Sequence, residues 1–182
     1  RWGETARRRA ITDDLSGLFN RRFLEETMRT RFASGSGSRP RGALLMLDID
    51  RFRDINAVYG PLAGDAVIST AGAAFGGLLR DEEIAARLSG DEFAFFLPGA
   101  AAGRARELAE AIRAQAESLY LEFRPGANAA TERVSITVSI GVAVAPEQAT
   151  TPGELVAAAD KALYRAKEGG RNRVALAGDL DA

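Results

Sequence analysis

The chain has no cysteine and no histidine in its 182 residues. The first absence excludes a disulfide framework and any thiolate metal site. The second leaves acid–base or metal chemistry to Asp, Glu, Lys, Arg, Tyr or backbone groups. Net charge is −1, so no global basic field draws in nucleic acid, and no nucleic-acid partner is expected. No apolar run approaches the roughly 18 residues that a membrane span needs. No signal peptide is visible either, so the expected location is cytoplasmic. The chain begins at Arg1 rather than Met, which points to a piece of a longer parent, and membrane anchoring of that parent stays open.

What is present suits one domain with a substantial core, at 46% apolar and 27% charged residues. Residues 1–12 are charged, and read either as the end of a helix entering from upstream or as a frayed terminus. Residues 13–20, DDLSGLFN, form a turn-rich loop leading to a helix capped near Asn20, with Phe23 or Leu24, Met28 and Phe32 at helical spacing. SGSGSRPRG, residues 34–42, has the chemistry of a flexible surface loop. Residues 43–47 read as a buried strand and 52–58 as a polar helix. Pro61 starts the next helix, striped by Ile68, Ala71, Phe75 and Leu78. The apolar runs 84–88 and 93–97 then make a hairpin. Leu108, Ile112, Ala116 and Leu119 mark another helix, and 135–145 a long strand. Leu155, Ala159, Leu163 and Ala166 stripe the last helix, stopped by Gly169-Gly170 ahead of a short strand over 173–176. This order predicts an α/β (α+β) sandwich of the ferredoxin-like kind: a central mixed, mostly antiparallel sheet flanked by helices.

The hairpin turn, Ser89-Gly90-Asp91-Glu92-Phe93, carries two adjacent carboxylates, more charge than turn geometry alone requires. Asp48-Ile49-Asp50 ends the strand over 43–47. Two strands that deliver carboxylates to one tip can hold a divalent metal, and Mg²⁺ commonly takes one or two carboxylates plus substrate phosphates. Asp48 and Asp91 fit that demand if their strands are neighbours. Lys161, Arg165, Lys167, Arg171 and Arg173 form a basic run, read either as stabilising a helix end or as a triphosphate site. Asn56 and Asp65 read either as helix caps or as a pair that recognises a purine edge.

The segments DDLSGLFNRRF, LDIDRFRDIN, YGPLAGD, RLSGDEF, VSIGVA and DKALYRAKEGGRN resemble, in order and spacing, those of GGDEF domains, the diguanylate cyclases. The resemblance runs from about Asp13 to about Val174. It implies a nucleotide-cyclase palm in which two GTP are condensed to cyclic di-GMP with release of two pyrophosphates, each subunit of a homodimer contributing one GTP. It divides the chain into the end of an upstream signalling helix or linker (1–12), the catalytic domain (13–176) and a C-terminal tail (177–182), with a sensory domain expected upstream in the parent. By the same resemblance Asp48, the Ile49 carbonyl and Asp91 hold Mg²⁺ or Mn²⁺, and Glu92 deprotonates or orients the 3′-hydroxyl. Asn56 and Asp65 read guanine, Phe52 and Arg53 contact phosphate, Ser89 and Gly90 lie close to the nucleotide, and Lys167 with Arg171 clamps the triphosphate. A carboxylate at Asp65 accepts from guanine N1–H and N2–H₂, which adenine lacks, so GTP is favoured over ATP.

Some positions depart from the family pattern. Ser89 stands for the first signature glycine, Arg53 for the commoner lysine, and Pro61 for a frequent histidine. The product-inhibition RxxD falls on Arg80-Asp81-Glu82-Glu83, with Glu83 in place of Asp. Its second arginine falls near Ala111, with Arg113 close by. Weak or absent feedback inhibition is expected. The runner-up reading is a catalytically silent GGDEF module that binds GTP or cyclic di-GMP for signalling; the retained Asp48, Asp91 and Glu92 argue for catalysis.

Overall fold

A computed structural model describes residues 2–33 and 39–178 of the chain. Residues 34–38 of the expected surface loop, and 179–182 of the expected tail, lie outside the described residues. The elements follow in the order α1 (Trp2–Ile11), β1 (Phe19–Asn20), α2 (Arg21–Ala33), β2 (Gly42–Ile49), α3 (Phe52–Tyr59), α4 (Pro61–Gly76), β3 (Ile84–Ser89), β4 (Glu92–Pro98), α5 (Ala102–Ser118), β5 (Tyr120–Phe123), β6 (Glu132–Ser135), β7 (Val138–Ala145), α6 (Pro152–Glu168) and β8 (Arg173–Leu176).

The main sheet runs β1-β3-β4-β2-β7-β8, and β5 with β6 forms a separate two-stranded ribbon. β2 is antiparallel to both β4 and β7, and β3 to β4, whereas the outer pairs β1–β3 and β7–β8 are parallel. The sheet is therefore mixed and mostly antiparallel, as the element order predicted. β2 and β7 are almost continuously apolar because helices cover both faces of the sheet. On one face Leu45, Leu47, Phe93, Phe95, Ile140 and Val142 meet Val67, Ile68, Ala71 and Phe75 of α4, and Leu108 and Ile112 of α5. On the other, Leu44, Met46, Ala94, Phe96 and Ala143 meet Leu24 and Met28 of α2, and Leu155, Ala159 and Leu163 of α6. Phe75 sits edge-on to Phe93 and Phe95, with ring centroids 6.0 and 6.2 Å apart. Burying each such ring contributes about 2–3 kcal/mol. Gly141 lets α6 approach β7 closely: a Cβ there would run into the Ala159 carbonyl and the Leu163 backbone. This contact seats the helix that carries Lys167.

Residues 2–11 are helical, with no buried side chain, the first of the two readings given for this segment. Three features differ from the sequence reading. The expected strand over 135–145 is interrupted at Ile136-Thr137, so its first part belongs to the β5–β6 ribbon. The alternation there serves two different sheets. β1 is two residues long and β5 is short, too brief for periodicity to reveal. The helix starts were legible: Asn20 Oδ1 accepts from Phe23 N at 3.0 Å, and Pro61 is the first residue of α4.

Candidate active site

The signature turn is placed by strand register. Ser89 pairs with Glu92 across Gly90-Asp91, and Gly90 takes a left-handed backbone conformation (φ 46°). One strand over, Asp48 faces Glu92 on one side and Ser139 on the other. Ile49 N donates to the Asp91 carbonyl at 3.2 Å, so the end of β2 lies directly against the turn. Arg87 braces the turn from behind: its Nε donates to the Gly90 carbonyl at 2.9 Å, and its other end bonds both oxygens of Asp13 at 3.2 and 3.4 Å. Asp13 also accepts from Ser16 N and Oγ. Burial raises the pKa of Asp13, but the Ser16 and Arg87 bonds outweigh it and hold the carboxyl below the usual range. The loop over residues 13–18 and the turn are thus one braced unit.

In front of the turn lies a cleft of about 550 Å³ lined by Asp48, Ile49, Asp50, Arg51, Phe52, Arg53, Asp91, Lys167 and Arg171. Its lining brings the carboxylates Asp48, Asp50 and Asp91 together with the cations Arg51, Arg53, Lys167 and Arg171. Asp48 Oδ2 is ion-paired with Lys167 Nζ, whereas Oδ1 is buried with no partner among the described residues. Such an orphaned acceptor is costly unless a donor or cation completes it. Burial, and then the nearby Asp48 charge, push the Asp91 carboxyl up, with Lys167 and Arg53 acting against that shift. Glu92 is pushed up by burial, then by Asp48 and Asp160, and its Oε2 accepts from Ser89 Oγ at 3.3 Å. Burial and repulsion from Asp48 thus act in the same direction on both turn carboxylates.

Asn56 and Asp65 come together at the α3–α4 junction. Asn56 packs against Gly64, beside Phe52, and Asp65 is exposed next to it. Neither caps a helix: the residues at the starts of α3 and α4 are Arg51 and Gly60, without a side-chain cap. The Asn56 amide oxygen is buried without a partner among the described residues.

Arg80 and Glu83 lie away from the cleft, at the start of β3. Glu83 is already occupied. Arg104 donates to both of its oxygens at 2.8 and 2.5 Å, and Arg80 N donates to Oε1 at 2.8 Å. The arginine of α5 that reaches this spot is therefore Arg104. Arg113 instead bonds Glu110, Glu117 and Asn172. The sequence reading also missed Asp160, seven residues before Lys167 on α6, which burial and then Asp48 push up in pKa. Its signals were a spacing of two helical turns from Lys167 and its place at the head of the segment DKALYRAKEGGRN. Asp50 differs from its partner in the Asp-Ile-Asp triplet: β2 ends at Ile49, and Asp50 is 8% exposed and fully hydrogen-bonded.

The family described as diguanylate cyclase, GGDEF domain, matches residues 10–173. The diguanylate cyclase VdcA of Vibrio cholerae is 38% identical over 165 residues, 91% of this chain and 46% of VdcA. The protein YhcK of Bacillus subtilis is 37% identical over 163 residues, 89% of this chain and 44% of that protein. The crystal structure of the coiled coil and GGDEF domain of DgcB from Caulobacter crescentus in complex with c-di-GMP superposes with a TM-score of 0.85 at 34% identity, covering 96% of this chain and 89% of that one. The chain spans less than half the length of these curated relatives.

Proposed function

The chain belongs to the GGDEF family, and from that premise we propose that it is a diguanylate cyclase, condensing two GTP into cyclic di-GMP across a homodimer. The observation that carries this reading is the cleft that joins Asp48, Ile49 and Asp91 to Arg53, Lys167 and Arg171. Asp48, with its unpartnered Oδ1, the Ile49 carbonyl and Asp91 fit Mg²⁺ or Mn²⁺. When bound, the metal supplies charge neutralisation at the triphosphate.

The chain's own groups do the rest. Lys167, Arg171 and Arg53 bind phosphate oxygens, and Phe52 borders them. Asn56 and Asp65 accept and donate along the guanine edge. Glu92, opposite Asp48, takes the proton of the 3′-hydroxyl; its raised pKa makes it a better base than an ordinary carboxylate. The freed 3′-oxygen forms a bond to the α-phosphorus of the GTP on the other subunit, the bond from that phosphorus to the β-phosphate bridge breaks, and pyrophosphate leaves. A second, symmetry-related transfer closes the ring. Two subunits must face each other, so isolated domains work slowly and an upstream sensor in the parent brings them together, with residues 1–12 as the end of the connecting helix, 13–176 as the catalytic domain and 177–182 as a tail. No helix among the described residues is long and apolar enough to cross a membrane. Glu83 is bound by Arg104, which supports weak product feedback at Arg80 and Glu83.

Chromatography of products from concentrated protein with GTP and Mg²⁺, beside an Asp91→Ala control, tests the reading. Cyclic di-GMP from the wild type alone is expected. No product, even with dimerisation enforced by a fused coiled coil, would instead indicate the silent nucleotide-binding module.

A further inference from the structure

The Asp-Ile-Asp triplet looks from its spacing like a double metal ligand, but Asp50 has no oxygen to spare. Its Oδ2 accepts from Thr137 Oγ1 at 2.7 Å and from Asn172 N at 2.9 Å, and its Oδ1 accepts from Ser139 Oγ at 2.7 Å. Its own N–H donates to the Thr137 carbonyl at 2.9 Å. One buried carboxylate thus ties the end of β2 to the start of β7 and to the loop between α6 and β8.

The third tie is the informative one. That loop holds two consecutive non-glycine residues in the left-handed region, Arg171 at φ 64° and Asn172 at φ 45°. Asn adopts this conformation readily and Arg does not, so a left-handed pair persists only where its surroundings over-determine it. The Asn172 N–H bond to Asp50 is one restraint. The Asn172 side chain, held by Glu117 at 2.9 Å and Arg113 at 3.2 Å, is a second. The Arg171 backbone adds two more, its N–H donating to the Ala166 carbonyl at 3.1 Å and its carbonyl accepting from Arg173 Nε at 3.0 Å. Together they fix the residue before, Arg171, which lines the cleft along with Lys167 and Asp48.

We propose that Asp50 is a positioning residue, which sets the triphosphate clamp by locking the left-handed Arg171–Asn172 pair to the strand that bears Asp48. This rests on the reading of Arg171 as a phosphate contact. It assigns to the two carboxylates of the triplet different tasks: Asp48 faces the ligand, and Asp50 holds the cation that meets the same ligand. Asp50 acts through Arg171, so its removal and that of Arg171 must cost the same affinity once, not twice.

The test is a double-mutant cycle on the full chain, reading the dissociation constant of α,β-methylene GTP with Mg²⁺ and checking folding by thermal melting. Arg171→Ala is expected to weaken binding about tenfold, the loss of one charge-assisted phosphate contact. Asp50→Ala is expected to weaken it by a similar factor, and the double variant is expected to stay near that same about tenfold loss rather than reach about a hundredfold. If Asp50→Ala does not fold, Asp50→Asn takes its place: a neutral oxygen accepts less strongly from Asn172 N–H, and about a threefold loss is expected that vanishes in the Arg171→Ala background. Unchanged affinity in the folded Asp50 variant, or losses that multiply with Arg171→Ala, would overturn the proposal. Unchanged affinity in Arg171→Ala alone would instead overturn the clamp reading beneath it.

Discussion

At the start of β3, Glu83 has both oxygens taken, by two nitrogens of Arg104 and one backbone N–H, and its side chain is only 8% exposed. The Arg104 hydrogen bonds hold its carboxyl below the usual range, against burial. At the turn end of the same hairpin, Asp91 and Glu92 are pushed up by burial and by Asp48, and Asp48 keeps a buried oxygen with no partner among the described residues. Two clusters built from the same residue types thus sit at opposite extremes of electrostatic satisfaction. The satisfied one is finished structure. The unsatisfied one is held in place by the surrounding sheet and helices, and in the function proposed above a cation would complete it. Counting acidic residues would not separate them; counting their partners does.

The largest effect that can break this contrast is at Asp91. Asp91→Ala is expected to lower the rate of cyclic di-GMP formation about a thousandfold, the scale of a lost metal contact. Its melting temperature at pH 7 is expected to hold or rise. The sign follows from the raised pKa: the folded state holds the Asp91 proton more tightly than the unfolded one, so the favourable contribution exists at low pH and is lost as pH rises through the folded value. Ionised Asp91 therefore opposes folding at neutral pH. A large drop in melting temperature would show that the turn carboxylates are structural after all.

The opposite pattern is expected at the other cluster. Arg104→Ala leaves Glu83 a buried carboxylate with only the Arg80 N–H bond, at a cost of about 2–3 kcal/mol. In a domain of this size that is about 5–10 °C in melting temperature, while the rate per folded molecule stays at the wild-type level. Acid sharpens the point. Glu83 has a lowered pKa, so its contribution is present above the unfolded value of 4.5 and is lost as pH falls through the folded one. The gap in stability between wild type and Arg104→Ala should therefore close in denaturant titrations carried out below that pH. The smallest expected effect is at the product: with Glu83 filled by Arg104, initial rates titrated with cyclic di-GMP should show no half-inhibition at low micromolar concentration. Inhibition in that range would mean that the ion pair opens for a ligand.

Much of this was legible in the sequence. The apolar runs of β2 and β4, the Pro61 start of α4, and the α6 stripe from Leu155 to Ala166 specified local structure strongly enough to be read directly. Asp48, Asp91, Lys167 and Arg171 were nameable from motif order, and the cleft does bring them together. What stayed hidden depends on which side of an element faces what. Three arginines of α5, at 104, 106 and 113, share one helix, and only the packed fold shows that Arg104 meets Glu83 while Arg113 meets Asn172. Asp50 shares a motif with Asp48, but the strand ends between them and their tasks diverge. The β5–β6 ribbon was missed because four-residue strands carry too little alternation to separate them from the strand that follows.

Ligand-induced thermal shift shows whether the open Asp48 oxygen seats a metal at a nucleotide cleft. Melting temperatures would be compared in GTP with Mg²⁺ and in GTP with EDTA, for the wild type and for Asp48→Asn. A ligand that binds only the folded state stabilises it in proportion to the logarithm of its concentration over its dissociation constant. A clear further rise with Mg²⁺ is expected in the wild type and none in Asp48→Asn, if Asp48 holds the ion. An equal Mg²⁺-dependent rise in both proteins would contradict that.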